Sequence, residues 1–186
     1  DGNATNPYTP AAYSWPSTFS QTEEKYLAGE IQRLISLLGM KTCVFNIETR
    51  VGTNGKPYIM ELTPRGGGNR LCEMLRYATG VDLITAITRY AVGDEPGDIG
   101  QRPYEGHWAE VILHSESEGV FECLQINPAL PAEIVEKDLW VNVGDKVHGF
   151  EAANDAIGTL VLRFNNSDDL EKSIECQDSW LNVVVK

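Results

Sequence analysis

Two glutamates flanking a short turn are the residues of this sequence best suited to chemistry. Glu48 stands in Asn46-Ile47-Glu48-Thr49-Arg50 and Glu61 in Met60-Glu61-Leu62-Thr63-Pro64-Arg65, with Asn54-Gly55 midway between them. Asn-Gly is a strong signal for a two-residue type I′ hairpin turn, because both central positions need positive φ and these two residues tolerate it. With that turn Thr53 opposes Lys56, Val51 opposes Tyr58, Glu48 opposes Glu61 and Asn46 opposes Thr63. Side chains alternate between the faces of a strand, so Asn46, Glu48, Glu61, Thr63 and Arg65 collect on one face. Two directly opposed carboxylates repel, their Cβ atoms being about 4.5–5.5 Å apart. Something positive belongs between them, either a divalent cation on hard oxygen ligands or the guanidinium of Arg50 or Arg65. Strand glutamates that merely face solvent beside an arginine do no chemistry.

Here the surroundings point further. Phe45, Ile47, Val51, Ile59 and Met60 predict a well-packed hairpin, and Arg65 is followed at once by Gly66-Gly67-Gly68-Asn69. Consecutive glycines let backbone N–H groups approach an anion, and a helix starting just past Gly68 would aim its N-terminus the same way.

At these residues the chain resembles the ATP-grasp superfamily, most closely the branch of carbamoyl-phosphate synthase, biotin carboxylase and the amino-acid ligases. The resemblance rests on Asn46-Ile47-Glu48, the hairpin, and Met60 through Asn69. Carried over residue by residue, it implies Glu48 and Glu61 as ligands of the magnesium (or manganese) that bridges the ATP phosphates, and Thr63 as a third ligand where the family usually has Asn. Met60 would floor the adenine pocket. Arg65 would contact phosphate or the bound carboxylate, with Gly67, Gly68 and Asn69 lining the substrate side. The implied activity is that of a ligase, which activates a carboxylate or bicarbonate as an acyl phosphate with Mg-ATP and passes it to an amine. The other reading, from a different class, is a module that keeps the fold and binds a ligand or partner without catalysis; Thr63 in place of Asn favours it.

The elements that would position these residues follow from pattern. Ser20 and Glu23 form a capping box ahead of a helix of roughly twenty residues, with Tyr26, Leu27, Ile31, Leu34, Leu37 and Leu38 on one stripe and Gly39 ending it. Leu71, Leu75 and Ala78 fit a helix closed by Gly80, and Asp82 caps another reaching Val92. Gly93 to Tyr104 is rich in Gly, Pro, Asp and Glu and marks a linker. Beyond it short alternating runs predict strands at 107–114, 120–126, 134–143 and 158–164, a turn at Gly144-Asp145, a helix capped by Ser167, and a closing strand 180–185. The fold class is α+β. Residues 1–93 read as the C-terminal half of an ATP-grasp domain, and 94–186 resemble the β-rich region that follows it in biotin carboxylase and its relatives. Asp1 to Pro16 reads as loop.

A net charge of −12 argues against nucleic acid or an anionic membrane surface as partner, since phosphate affinity rests on Lys and Arg. No run of about 18 apolar residues and no signal peptide is present, so the expectation is a cytoplasmic protein, compatible with a homo-oligomer. Cys43, Cys72, Cys123 and Cys176 form no CxxC pair and read as reduced structural thiols rather than a zinc site. His107, His114 and His148 lack ligand spacing. Lys146 after Gly144-Asp145 is reminiscent of a biotinyl or lipoyl carrier, but no Met stands beside it. The lysines and glycine-rich flap that grip ATP in the family lie in N-terminal subdomains that this sequence does not contain, so the expectation is a part of a larger enzyme, inert by itself.

Overall fold

The computed structural model describes residues 9–186. The chain divides into two compact units, one of Ser17–Arg102 and one of Pro103–Lys186 joined by the N-terminal stretch through Pro16. Of the loop expected over Asp1 to Pro16, residues 1–8 lie outside the described residues, and the remainder is more than a loop. It holds strand β1 (Ala12–Trp15), which pairs antiparallel with β4 (His107–Leu113) from Ala12↔Val111 to Trp15↔Trp108. Tertiary pairing here overrides a weak local propensity.

Ser17–Arg102 opens with helix α1 (Gln21–Leu37), started by the expected capping box: the Glu23 N–H donates to Ser20 Oγ at 3.3 Å, and the Ser20 N–H donates to Glu23 Oε2 at 2.7 Å. The hairpin follows as β2 (Asn46–Val51) and β3 (Pro57–Thr63), then α2 (Leu71–Thr79) and α3 (Leu83–Ala91). Gly80 closes α2 in the left-handed region at φ 75°, and Asp82 caps α3 by accepting from the Thr85 N–H at 2.9 Å.

Among the described residues the other unit contains two sheets. The first runs β1-β4-β8-β6, with β8 (Gly158–Phe164) central and β6 (Ala132–Leu139) at one edge. The second runs β7-β5-β9, with β5 (Gly119–Ile126), the two-residue β7 (Lys146–Val147) and β9 (Leu181–Val185). Helix α4 (Ser167–Glu175) is capped by Asn166, one residue earlier than expected, whose side chain accepts from the Asp169 N–H. Val111, Leu113, Leu160, Leu162 and Phe164 from β4 and β8 form the centre of a core completed by Phe121, Leu170 and Trp180. The turn at Gly144 is present at φ 98° but leads into β7 rather than directly into β8. No described helix is long and apolar enough to cross a membrane.

Candidate functional site

The hairpin brings the two glutamates together by a route different from the expected one. Gly55 N–H donates to the Gly52 carbonyl at 2.9 Å and Gly52 N–H to the Lys56 carbonyl at 2.8 Å. Of the turn residues Thr53, Asn54 and Gly55, only Gly55 has positive φ, at 73°. The loop is therefore Thr53-Asn54-Gly55, three residues long, which is the turn followed by a left-handed glycine that hairpins use next most often after the two-residue turn. Near the tip the ladder is shifted by one, with Val51 opposite Pro57 and Arg50 opposite Tyr58, not Val51 opposite Tyr58. A bulge then restores the expected pairing: Thr49 faces Ile59, Glu48 faces Glu61, and Met60 is the extra residue. Glu48↔Glu61 and Asn46↔Thr63 stand as paired neighbours on one face.

Arg50 supplies positive charge, its guanidinium 3.3 Å from Glu48 Oε1. Both side chains are more than half exposed, so the pair contributes little beyond easing the repulsion. The Thr63 hydroxyl donates to Glu61 Oε1 at 2.7 Å, which orients that carboxylate. Arg65 pairs with neither glutamate among the described residues; its guanidinium donates to the Gly66 carbonyl at 2.8 Å. It lines, with Val44, Ile87, Tyr90 and Ile99, a mostly apolar cavity of about 290 Å³. The contribution of α3 to the surroundings of Arg65 was not legible in the sequence, because it depends on a packing between elements that no spacing encodes.

The glycine loop abuts the polar face. A Cβ on Gly67 would lie 3.4 Å from Asn46 Oδ1, but also 2.8 Å from Leu71 Cδ1, and one on Gly66 would lie 3.0 Å from Cys72 Sγ. Two of the three glycines thus admit α2 close to the hairpin. The Gly67 N–H is directed at the Cys72 sulfur, and burial pushes that thiol's pKa up while this bond lowers it. Gly68 faces open space and Asn69 takes positive φ, at 51°. No side chain caps the N-terminus of α2, so its first-turn N–H groups present toward the loop the partial positive charge of a helix start.

The hairpin is not as well packed as its apolar residues predict. Met60 is 62 % exposed, Val51 48 % and Tyr58 47 %, and α1 buries none of its residues. A two-stranded ribbon with one helix alongside cannot cover both of its faces. Met60 lines, with Tyr26, Leu27 and Leu34 of α1, a cavity of about 400 Å³ beside β3. Among the described residues no group of three or more His, Cys, Asp and Glu could hold a metal. The carboxylate pair with the Thr63 hydroxyl is a partial set of hard oxygen donors.

No protein-family model matches the sequence, and no curated protein matches it. Solved structures do. L-amino acid ligase from Bacillus licheniformis superposes with a TM-score of 0.82 over 100 % of this chain and 46 % of its own, at 17 % identity. Phosphoribosylglycinamide synthetase from Anaerococcus prevotii gives 0.77 over 96 % of this chain and 46 % of its own, at 21 % identity. The biotin carboxylase domain of the Hydrogenobacter thermophilus 2-oxoglutarate carboxylase, solved with MgADP and bicarbonate, gives 0.67 over 97 % and 40 %, at 14 % identity. This chain spans less than half the length of each of them.

Proposed function

From the C-terminal ATP-grasp fold that the chain shares with these enzymes, we propose that it is the metal- and acid-binding part of a ligase. The parent would activate a carboxylate or bicarbonate as an acyl phosphate with Mg-ATP and transfer it to an amine. The observation that carries this reading is the pairing of Glu48 with Glu61 on one face of the hairpin, next to the glycine loop. Magnesium keeps several waters and is commonly held by one or two carboxylates together with substrate phosphates, so a pair and a hydroxyl fit it without a protein cage. Magnesium-ATP would supply the phosphoryl group and neutralise its charge.

In this reading Glu48 and Glu61 hold the cation, and Thr63 holds Glu61 in the orientation to do so. Met60 contributes the exposed apolar surface against which an adenine would rest. Arg65 turns from the Gly66 carbonyl to a substrate carboxylate or phosphate, which a guanidinium grips by two parallel bonds. Gly67 keeps the loop against α2, and Gly68 and Asn69 face the ligand. The missing grip on ATP comes from N-terminal subdomains of the parent, in keeping with the small share of each relative that the chain spans. A binding module without catalysis is the second reading. The observation favouring it is that the Thr63 hydroxyl, standing where the family has a metal-binding Asn, donates to Glu61.

The test is Mn²⁺ binding followed by electron paramagnetic resonance, with nucleotide present, on the chain and on its full-length parent. Glu61→Gln should abolish manganese binding and parental turnover, yet raise the chain's melting point in chelator, because it removes a repulsion of about 0.5 kcal/mol. Arg65→Ala should keep manganese binding and stability while slowing the parent by about 2–4 kcal/mol in transition-state stabilisation. Manganese binding with no turnover in the intact parent supports the binding module. Manganese binding that Glu61→Gln leaves intact removes the metal role.

A further inference from the structure

Among the described residues the sheet β7-β5-β9 ends on β9, which pairs with β5 on one side only. The Asn127 N–H donates to the Trp180 carbonyl at 2.8 Å, and Val120 and Lys186 exchange both backbone bonds, at 2.9 and 3.1 Å. Antiparallel pairs alternate between hydrogen-bonded and non-hydrogen-bonded positions. With Gln125 opposite Asn182 and Leu124 opposite Val183, the backbone groups of Asn182 and Val184 face β5. Those of Leu181, Val183 and Val185 face the other way.

A groove of about 530 Å³ runs along that other side, lined by all five residues of β9. A cavity over a sheet face would be lined by alternate residues, because successive side chains point to opposite faces. Five in succession mean that the groove follows the strand's backbone edge. Its far wall is the segment from His114 to Ser117 at the end of β4.

Edges that must not pair are blunted by charge, shortness or proline. The β6 edge carries Glu133, Glu136, Lys137 and Asp138, and β7 and β1 have only two and four residues. The β9 edge, Leu181-Asn182-Val183-Val184-Val185, has none of these devices. Its Leu181, Val183 and Val185 side chains pack on the core, which holds the edge straight. The charged lining of the groove is acidic, Glu116 and Asp178, with no lysine or arginine. The sequence outside Ser17–Arg102 has 17 acidic and 5 basic residues and so carries the whole net charge of −12. A second copy would bring like charge to the edge, whereas a segment bearing lysine or arginine meets opposite charge.

We propose that β9 is a strand-addition site, on which an extended basic segment of a partner protein pairs with Leu181, Val183 and Val185 and sets its cations against Glu116 and Asp178. The probe is a labelled hexapeptide of alternating lysine and valine, titrated into the full chain by fluorescence anisotropy, with amide hydrogen exchange read on the complex. Binding should saturate, weaken with salt, and slow exchange at Leu181, Val183 and Val185. Val183→Pro removes an N–H that faces the groove and no bond to β5, so affinity should fall at least tenfold in a folded chain. Glu116→Lys with Asp178→Lys, at exposed positions, should produce the same fall whether or not the proline variant folds. Absence of saturable binding overturns the proposal, as does equal affinity for the same peptide with glutamate in place of lysine. Binding that leaves the three amides unprotected reduces it to diffuse charge attraction. Protection of those amides by concentration-dependent self-association, seen by sedimentation without peptide, assigns the edge to a second copy instead.

Discussion

Gly67 and Gly68 are adjacent in the sequence, yet a methyl group would meet opposite conditions at each. At Gly67 it would press on Leu71 Cδ1 and Cβ at 2.8 and 3.0 Å, so the Leu71 side chain at the start of α2 would have to shift; at Gly68 nothing lies within 4 Å and the backbone is not left-handed. Gly67→Ala should therefore cost about 1–3 kcal/mol through overpacking, and Gly68→Ala should stabilise by about 0.4–1 kcal/mol by lowering the entropy of the unfolded chain. Urea denaturation of the two variants separates these effects, and an equal loss at both positions contradicts the packing argument. The same contrast sharpens the site. If Gly68 serves close approach to a bound anion, Gly68→Ala weakens ligand binding in a chain that is more stable, a combination that a purely structural glycine cannot give. Cys72, buried behind Gly66 with its thiol pKa raised by burial, stays protonated at neutral pH and belongs to this packing.

At the scale of elements, the sequence discloses what local chemistry decides. The capping box at Ser20 and Glu23, the Asp82 cap, the Gly80 stop and the span of β8 are all readable from neighbouring residues and all present. The pairing of Glu48 with Glu61 was also legible, though its derivation assumed a type I′ turn, and two departures cancel: a three-residue loop shifts the ladder by one and the bulge at Met60 shifts it back. Neither departure shows in the alternation of apolar residues, because turn type and bulge position are settled by how the ribbon twists against its neighbours. β1 was hidden for a related reason, its partner strand β4 lying nearly a hundred residues away. The caps carry a pH dependence. The Ser20 hydroxyl, and then its N–H, hold Glu23 below its ordinary 4.5. The Thr85 N–H and hydroxyl, followed by more distant Arg76, hold Asp82 below 3.8. A depressed carboxylate stabilises the folded state fully above its unfolded pKa, and that contribution is lost as pH falls through the folded value. Acidification from pH 6 should therefore leave the first turn of α1 intact until below about pH 4.5 and that of α3 until below about pH 3.8, and then fray each, read by amide exchange. Glu23→Gln and Asp82→Asn should flatten the response in their own helix alone.

Across the whole molecule, burial and charge are unevenly divided. Ser17–Arg102 balances ten acidic residues with ten basic ones, while the remaining sequence holds all of the −12. The acidic unit nonetheless owns the larger core, with Ala109, Val111, Leu113, Leu160, Leu162 and Phe164 at 0–1 % exposure. In Ser17–Arg102 the buried apolar residues, Pro57 of the hairpin apart, come from α2, α3 and the turn between them, namely Cys72, Met74, Ala78, Val81 and Ala86, while Leu37 and Leu38 at the end of α1 are 72 % and 58 % exposed. Local opening follows buried apolar contact, so amides of β4 and β8 should exchange most slowly and those of α1 and the hairpin fastest. Salt should widen the gap. It screens the self-repulsion of a unit with net charge far from zero and has little to act on where charges cancel. Raising ionic strength should thus slow exchange in β4 and β8 and leave α1 nearly unchanged, measured by exchange mass spectrometry at two salt concentrations and fixed pH. A uniform slowing across both units would mean that charge is not what distinguishes them, and an α1 as protected as β8 would mean that its apolar stripe is covered by something other than the side chains of its own unit.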